Sequence, residues 1–287
     1  METNLTQSPS SATSVTDPWP LAAKKSHNNS GHHAIVVIDG GEHGVKIEFR
    51  RGGAAVAETH ALTPAIAQAL RPETLEMVRE ISPRHHVTNR PGLFWFSSVG
   101  HFVAHESRLE ATSLLLLDFE AETQAVVSQP FRLHLARSSS PRDHVPDYFL
   151  RLRSGQGVVV DVKPRAHLDK PKVRAQFAAT REICDQAGWQ YRIMTEPTDN
   201  SRRNLSLVSN FRRPPVHTDV VFPEALTLAG LQGVTWGELV KHVSTETRLH
   251  HALVLPCLFH AVWSRELSVD LDCPFDSSSV VSLGDRA

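Results

Sequence analysis

The alternation of apolar and polar positions divides the chain into a polar beginning and a structured remainder. Residues 1–33 are rich in Ser, Thr, Asn and Pro and contain few large apolar side chains. Such a composition cannot offset the entropy lost on ordering, so we predict a disordered tail over 1–33. Short apolar runs and helical spacing then predict a small α+β segment over 34–104, with strands at 34–39 and 45–49 and a helix over 64–81.

Helical and strand patterns alternate through residues 105–214. Helical spacing begins near His105, and the apolar runs that follow it are typical of strands. The predicted elements after this helix are strand patterns at 126–127 and 131–135, a hairpin over 144–164, a helix over 170–187 and a strand over 189–193. The order of helix, three strands, helix and strand predicts an α/β core.

A change of composition at Pro214–Pro215 predicts a linker and a separate C-terminal domain over 215–287. Thr235 and Glu238 have the spacing of a capping box, in which the side chain of each accepts a hydrogen bond from the backbone of the other at a helix start. A second apolar helix and a strand pattern follow within 250–272. Helix, turn, helix and short strand predict a winged-helix-like domain.

Charge and cysteine content narrow the function classes. The 30 Lys and Arg residues balance 31 Asp and Glu residues, so contact with nucleic acid must come from local basic clusters rather than an overall positive field. The three cysteines lie far apart and form neither a disulfide framework nor a cysteine zinc site, which favours a reducing cytoplasm. The sequence shows neither a signal-peptide pattern nor an apolar run of about 20 residues. We therefore predict a cytoplasmic protein that is neither exported nor embedded in a membrane.

The hairpin "HVPDYFLRLRSGQGVVVDVKP" carries two carboxylates and an ammonium at its ends. Side chains two apart on a strand share a face, so Asp161 and Lys163 point the same way. With a turn centred on Gly155, Asp147 lies opposite Lys163, and the three side chains converge. A slip of one residue in this register would break the convergence.

Two carboxylates on adjacent strand ends form an oxygen site suited to Mg²⁺, and a lysine beside them can orient or activate water during phosphodiester hydrolysis. The alternative is a surface Asp-Lys ion pair, contributing under about 1 kcal/mol. Helical spacing places Glu110 on the same stripe as Leu114 and Leu117, facing the packed side, where a carboxylate needs a partner such as a metal. Glu106 lies one turn earlier, and its alternative role is that of an acid favoured at a helix N-terminus.

The segments "HESRLE", "SQPFRLHL", "HVPDYFL", "VVVDVKP" and "NFRRP", in this order, resemble the TnsA-like endonuclease subunit of heteromeric transposases, a member of the PD-(D/E)xK nuclease superfamily. The resemblance covers about residues 91–214 and implies a restriction-endonuclease-like core over 105–214. It also implies the roles of the site residues. The metal ligands are Glu110, Asp147 and Asp161, the catalytic lysine is Lys163, and His144 is either structural or in contact with phosphate. Some members of the family carry Gln in place of Asp161.

This resemblance implies a DNA endonuclease that uses Mg²⁺, with Mn²⁺ able to substitute, and that cuts the 5′ ends of a transposon. The implied partners are transposon-end DNA, an RNase-H-like transposase subunit that makes the 3′ cut, and an ATPase regulator subunit. The alternative is a non-catalytic DNA-binding or assembly protein that keeps the nuclease fold as a scaffold.

A basic segment follows the lysine of the hairpin. It contributes Lys170, Lys172, Arg174 and Arg181, which we predict to contact DNA phosphates because they follow the candidate metal strand directly. The alternative for these side chains is a solvated charged helix face.

Overall fold

A computed structural model describes residues 44–79, 90–134 and 143–286. The predicted tail over 1–33 and the predicted strand at 34–39 lie outside the described residues. Residues 38–287 belong to one compact unit.

The described residues form seven α-helices and 12 β-strands. The helices are α1 (Pro64–Ala69), α2 (Arg108–Glu120), α3 (Pro171–Ala187), α4 (Asp199–Val208), α5 (Thr218–Ala229), α6 (Trp236–Thr247) and α7 (His251–Trp263). The strands are β1 (Lys46–Arg51), β2 (Glu58–Ala61), β3 (Leu75–Glu76), β4 (Gly92–Phe96), β5 (His101–His105), β6 (Thr123–Ser128), β7 (Phe131–His134), β8 (Tyr148–Leu152), β9 (Gly157–Val162), β10 (Gln190–Met194), β11 (Leu267–Val269) and β12 (Val281–Leu283). Within the described ranges, none of the helices has the length and apolar character needed to cross a membrane.

The predicted helix over 64–81 is wrong in length. It ends at Ala69, and a short 3-10 turn over Pro72–Thr74 leads into β3. The ring of Pro72 disfavours a helical backbone at the residue before it, and Arg71 is accordingly extended, with φ −126°.

The helix predicted to begin near His105 begins three residues later. His105 is the last residue of β5, and Ser107 is the N-cap of α2, with its hydroxyl accepting from the backbone N–H of Glu110. Helical spacing alone did not distinguish the end of a strand from the first turn of a helix. The Ser-x-x-Glu sequence at 107–110 marks the boundary.

The central sheet has the strand order β10-β9-β8-β6. Strands β9 and β10 run parallel, connected through α3, whereas β8 pairs antiparallel with both β6 and β9. Together with α2, this gives the predicted order of helix, three strands, helix and strand. Strand β7 is the exception, because it leaves this sheet and pairs with β1. The segment over 34–104 is therefore joined to the core by main-chain pairing.

The central sheet is covered on both faces. One face, with Phe149 and Val159, packs against Phe177 of α3 and against β1 and β7. The other face packs against Leu114 and Leu117 of α2 and against Phe96 and Val103 of the β4–β5 hairpin. The mixed α/β arrangement is compatible with a nuclease-like core.

Helix α2 also contacts the C-terminal helices. Its Leu115 and Phe119 pack against the apolar cluster formed by α5, α6 and α7. Asn204 of α4 donates to the carbonyl oxygens of Leu271 and Cys273, at 2.8 Å each. These contacts cross the predicted boundary at Pro214–Pro215 and argue against independent folding of the two parts.

A buried carboxylate lies at this junction. Asp118 of α2, 2% exposed, accepts from the backbone N–H groups of Ser97 and Ser98, each at 3.0 Å, and from the Ser97 hydroxyl at 2.7 Å. The guanidinium of Arg212 lies 3.5 Å from the same carboxylate and over the rings of Phe94 and Trp263. One aspartate thus holds together the β4–β5 turn, α2 and the C-terminal helices.

We expect Asp118→Ala to lower the free energy of unfolding by about 3–5 kcal/mol, because it leaves buried donors and a partly buried guanidinium without an acceptor. Urea unfolding monitored by circular dichroism measures the change. Asp199→Ala is the control, since the pair of Asp199 with Arg202 is solvent-exposed, and it should cost less than about 1 kcal/mol. Equal losses from the two variants would contradict the role of Asp118.

Candidate active site

The register of the β8–β9 hairpin differs from the predicted one. Tyr148 pairs with Val160, so continuing the ladder by one residue places Asp147 opposite Asp161, and the prediction that Asp147 faces Lys163 is wrong. The loop is centred one residue earlier than Gly155, and the pairing is displaced by two residues. A displacement of two preserves the face to which each side chain points, so the predicted convergence survives.

Asp147 lies where the ladder ends. The backbone N–H of Val162 donates to its Oδ2 at 2.6 Å, and its own carbonyl accepts from the N–H of Gln129 at 2.8 Å. Burial and the neighbouring Asp161 carboxylate, followed by Glu110, raise the pKa of Asp147 to about 8, although the Val162 hydrogen bond and Lys163 oppose the shift. Asp147 therefore resists ionisation unless a positive charge joins it.

Asp161 is 3% exposed and is held by two side chains. The Nε2 of His144 lies 2.9 Å from its Oδ2, and the hydroxyl of Tyr191 donates to the same oxygen. The side-chain nitrogen of Gln176 in turn contacts the Nδ1 of His144. His144 is itself 7% exposed, and its contacts are those of a residue that supports Asp161.

Glu110 accepts two hydrogen bonds at the start of α2. Its Oε1 accepts from the Ser107 hydroxyl at 2.8 Å, and its Oε2 accepts from the N–H of Glu106 at 2.7 Å. Glu110 also lines the same cleft as Asp147 and Asp161, and burial, followed by the Glu110 carboxylate, raises the pKa of the Tyr148 hydroxyl. The inward direction predicted from the helical stripe agrees with this position. The role of an acid at the helix N-terminus, considered for Glu106, belongs to Glu110, which lies in the first turn of α2.

One cleft collects these groups. It has a volume of about 560 Å³, and Glu110, Asp147, Asp161 and Lys163 all lie in its wall, with His144 and Gln176. The backbone N–H of Lys163 donates to the carbonyl of Met194 at 2.8 Å, which fixes its main chain beside β10. Four residues that lie up to 53 positions apart in sequence therefore share one concave surface.

A second polar cluster at the rim was missed by the sequence analysis. Glu106 accepts from Arg79 at 2.7 Å and from the side chain of Gln129 at 2.9 Å. Gln129 adopts a left-handed backbone with φ 46° and is 5% exposed, a conformation that is costly for a residue with a side chain. The pair Ser128-Gln129 between two strand patterns gave no signal of this role, because its partners are distant in sequence.

The predicted DNA-contacting residues are exposed. Lys170 precedes α3 as its N-cap, and Lys172, Arg174 and Arg181 lie on the helix. The guanidinium of Arg181 lies 5.4 Å from the ring centre of Tyr191. The same helix contributes Gln176 and Phe177 to the cleft.

The carboxylates of the cleft are ligands of the kind that a hard cation such as Mg²⁺ prefers. Within the described residues, no group of three or more His, Cys, Asp or Glu side chains is arranged to hold a metal ion. Mg²⁺ commonly uses one or two protein carboxylates and completes its shell with water and phosphate oxygens, so Asp147 and Asp161 fit this ion. Both oxygens of Glu110 accept hydrogen bonds from Glu106 and Ser107, just before α2, so its part in such a site stays a prediction.

Residues 120–196 match the family model described as TnsA-like endonuclease N terminal. The match includes Asp147, Asp161 and Lys163 and stops short of Glu110, and it confirms the resemblance drawn from the motifs for this part of the chain. A comparison with curated protein sequences gave no match.

The raised pKa of Asp147 predicts a pH-dependent stability. Because the carboxyl ionises near pH 4 in the unfolded chain and near pH 8 in the folded protein, the folded state binds more protons between these values. The free energy of unfolding should therefore fall as pH rises from about 4 to about 8. Asp147→Asn should lack this fall and exceed the wild type at pH 8 by on the order of a few kcal/mol.

Urea unfolding at pH 5 and pH 8.5 in EDTA measures this difference. Asp169→Asn, at an exposed position beyond the cleft, is the matched control and should follow the wild type at both pH values. A wild-type stability that stays level between pH 5 and pH 8.5, relative to Asp147→Asn, would contradict the prediction.

Proposed function

We propose that this protein is a Mg²⁺-dependent DNA endonuclease subunit of a heteromeric transposase, hydrolysing phosphodiester bonds at the 5′ ends of a transposon. The observation that carries the proposal is the presence of Asp147, Asp161 and Lys163 in the wall of one cleft. The family match over 120–196 supports a nuclease.

Each residue has a distinct role in this proposal. Asp147 and Asp161 would hold the divalent cation, and their adjacent strand positions keep the two carboxylates on one side of the hairpin. The ammonium of Lys163 would orient the attacking water and offset the charge of the scissile phosphate. Glu110 would complete the ligand set by exchanging a capping hydrogen bond for the metal. When bound, the cation would supply Lewis acidity toward the phosphate.

The basic residues of α3 would hold the substrate. Lys170, Lys172 and Arg174 are exposed near the N-terminal end of the helix, on the chain segment that follows Lys163. Contacts with phosphates place a DNA strand without reading its bases, and such contacts suit a nuclease directed by other subunits.

The C-terminal segment is proposed as a winged-helix-like domain that faces protein. Three helices are followed by the β11–β12 hairpin, whose loop over 270–280 carries three aspartates and neither lysine nor arginine. This charge disfavours contact with DNA phosphates, whereas Val216, Val220 and Leu253 are exposed apolar side chains. We propose the ATPase regulator subunit as the partner of this surface and the RNase-H-like transposase as the subunit that makes the 3′ cut. The cytoplasm is the proposed location.

A second candidate is a non-catalytic assembly protein on the nuclease scaffold. The observation that favours it is that both Glu110 oxygens already accept hydrogen bonds, from Glu106 and Ser107. Under this alternative the cleft would bind DNA without cutting it.

We expect the wild type to nick transposon-end plasmid DNA in Mg²⁺, with the partner transposase present, and to stop when EDTA is added. Asp147→Ala should abolish nicking because it removes a metal ligand. Lys163→Met should slow nicking at least about 100-fold, because it removes the charge that offsets the scissile phosphate in the transition state. Gel electrophoresis of nicked and supercoiled plasmid measures both effects.

Lys46→Met is the matched control, since Lys46 is exposed on β1 and distant in sequence from the hairpin. Full Mg²⁺-dependent activity of Asp147→Ala would remove Asp147 from the site. A wild type that binds transposon-end DNA without nicking it, with and without the transposase, would favour the assembly protein.

A separate prediction concerns the basic residues of α3. Replacing Lys170, Lys172 and Arg174 together by Ala should weaken DNA binding uniformly across sequences and lower the slope of log affinity against log salt by about 1 for each lost phosphate contact. Fluorescence anisotropy over a range of salt concentrations measures the slope. An unchanged slope in the triple variant, equal to that of Lys46→Ala, would assign these residues to a solvated helix face.

A further inference from the structure

Two side chains, those of His144 and Tyr191, contact one oxygen of Asp161, and the side chain of Gln176 contacts His144 from behind. We propose that Gln176, His144 and Tyr191 form a clamp that fixes the Asp161 carboxylate, so that its Oδ1 is presented to the divalent cation. This inference rests on the proposed function, because it assigns positioning residues to the metal site of that function. None of the three is assigned a catalytic step.

The geometry of the clamp is directional. His144 Nε2 and the Tyr191 hydroxyl both contact Oδ2 of Asp161, the first at 2.9 Å. Within the described residues, Oδ1 of Asp161 accepts no hydrogen bond. Asp161 lies in the wall of the cleft. Two donors on one oxygen hold the carboxylate plane and leave the other oxygen available as a ligand.

Gln176 and Asp161 together favour one tautomer of His144. Its side-chain nitrogen is a donor and contacts Nδ1, so Nδ1 must accept and the proton of a neutral ring must reside on Nε2. That tautomer places an N–H group toward Asp161. With the opposite tautomer, a lone pair of Nε2 would face the carboxylate and repel it.

The clamp is supported by separate parts of the fold. The backbone of His144 pairs with Leu133 of β7, through hydrogen bonds of 2.7 and 2.9 Å. Gln176 lies on α3, and Tyr191 lies on β10, beside β9. Each partner is therefore fixed by different backbone contacts, which restricts the freedom of the Asp161 side chain before any cation binds.

Gln176→Met removes the donor and keeps the length of the side chain. We expect Mn²⁺ to bind this variant about 10- to 100-fold more weakly, the usual result of losing a partner of a metal ligand. Isothermal titration calorimetry of the full chain with Mn²⁺, in the absence of DNA, measures the dissociation constant independently of cleavage. Gln186→Met, on the last turn of the same helix and outside the cleft, should bind Mn²⁺ as the wild type does.

A second pair of variants tests His144 directly. His144→Gln can keep an N–H donor near the position of Nε2 and should bind Mn²⁺ nearly as tightly as the wild type. His144→Leu cannot donate and should weaken binding as Gln176→Met does. A merely structural role for the ring would affect both variants alike, so equal affinities of His144→Gln and His144→Leu would overturn the clamp.

The tautomer has its own spectroscopic signature. Two-bond ¹H–¹⁵N correlation spectra of the metal-free protein should show the proton of His144 on Nε2, with the signal assigned by its loss in His144→Gln. In Gln176→Met this preference should weaken, because only the Asp161 carboxylate then favours a proton on Nε2. A proton on Nδ1 in the wild type, or a spectrum unchanged by Gln176→Met, would overturn the inference.

The two readouts separate the inference from the proposed function. If the wild type binds no Mn²⁺ and nicks no DNA, the proposed function and the metal-presenting role fail together, whatever the ring spectrum shows. If the wild type binds Mn²⁺ and Gln176→Met binds it equally tightly, the inference fails while the proposed function stands.

Discussion

The architecture of the site depends on the cost of placing two carboxylates opposite each other at the end of a buried hairpin. Asp147 and Asp161 are brought together by the β8–β9 register, where Asp161 is buried and Asp147 is partly buried. Neighbouring like charges with little solvent repel strongly, and the repulsion can be relieved by a proton or by a cation. A protein that only needed a stable hairpin would gain nothing from this pair. Its presence beside Lys163 in a concave wall is what favours metal chemistry over a surface ion pair.

Helix α2 connects this site to the C-terminal helices. At its first turn Glu110 faces the cleft, and at its last turn Asp118 holds the β4–β5 turn and Arg212. One side of the helix packs on the sheet, and the other side packs on the C-terminal cluster through Leu115 and Phe119. A partner bound to the C-terminal helices therefore acts on a surface that shares a single rigid helix with the cleft.

The sequence was most informative about which face of a strand or helix a side chain lies on, because that face follows from a short repeat of positions. Asp161 and Lys163 share a face because strand side chains alternate, and this held although the loop centre was misplaced, since the pairing moved by two residues and not by one. The apolar stripe also gave the inward direction of Glu110. The Ser107-x-x-Glu110 sequence marks the start of α2, whereas helical spacing alone placed that start near His105.

Other features carried no local signal. His144, Gln176 and Tyr191 are separated by long stretches of chain, and no periodicity predicts that they form one chain of contacts leading to Asp161. The transfer of β7 to the sheet of β1 was equally inaccessible, because an alternating strand pattern does not specify its partner.

The two aspartates are not equivalent, and their hydrogen bonds explain why. Asp161 receives donors from two side chains, whereas Asp147 receives one backbone N–H at 2.6 Å. Burial and the neighbouring Asp161 carboxylate raise the pKa of Asp147 to about 8. A cation entering the cleft would displace the proton that Asp147 retains near neutral pH, while Asp161 already has a fixed orientation. The division of donors thus separates the two tasks of the pair, with one carboxylate held in place and the other responding to charge.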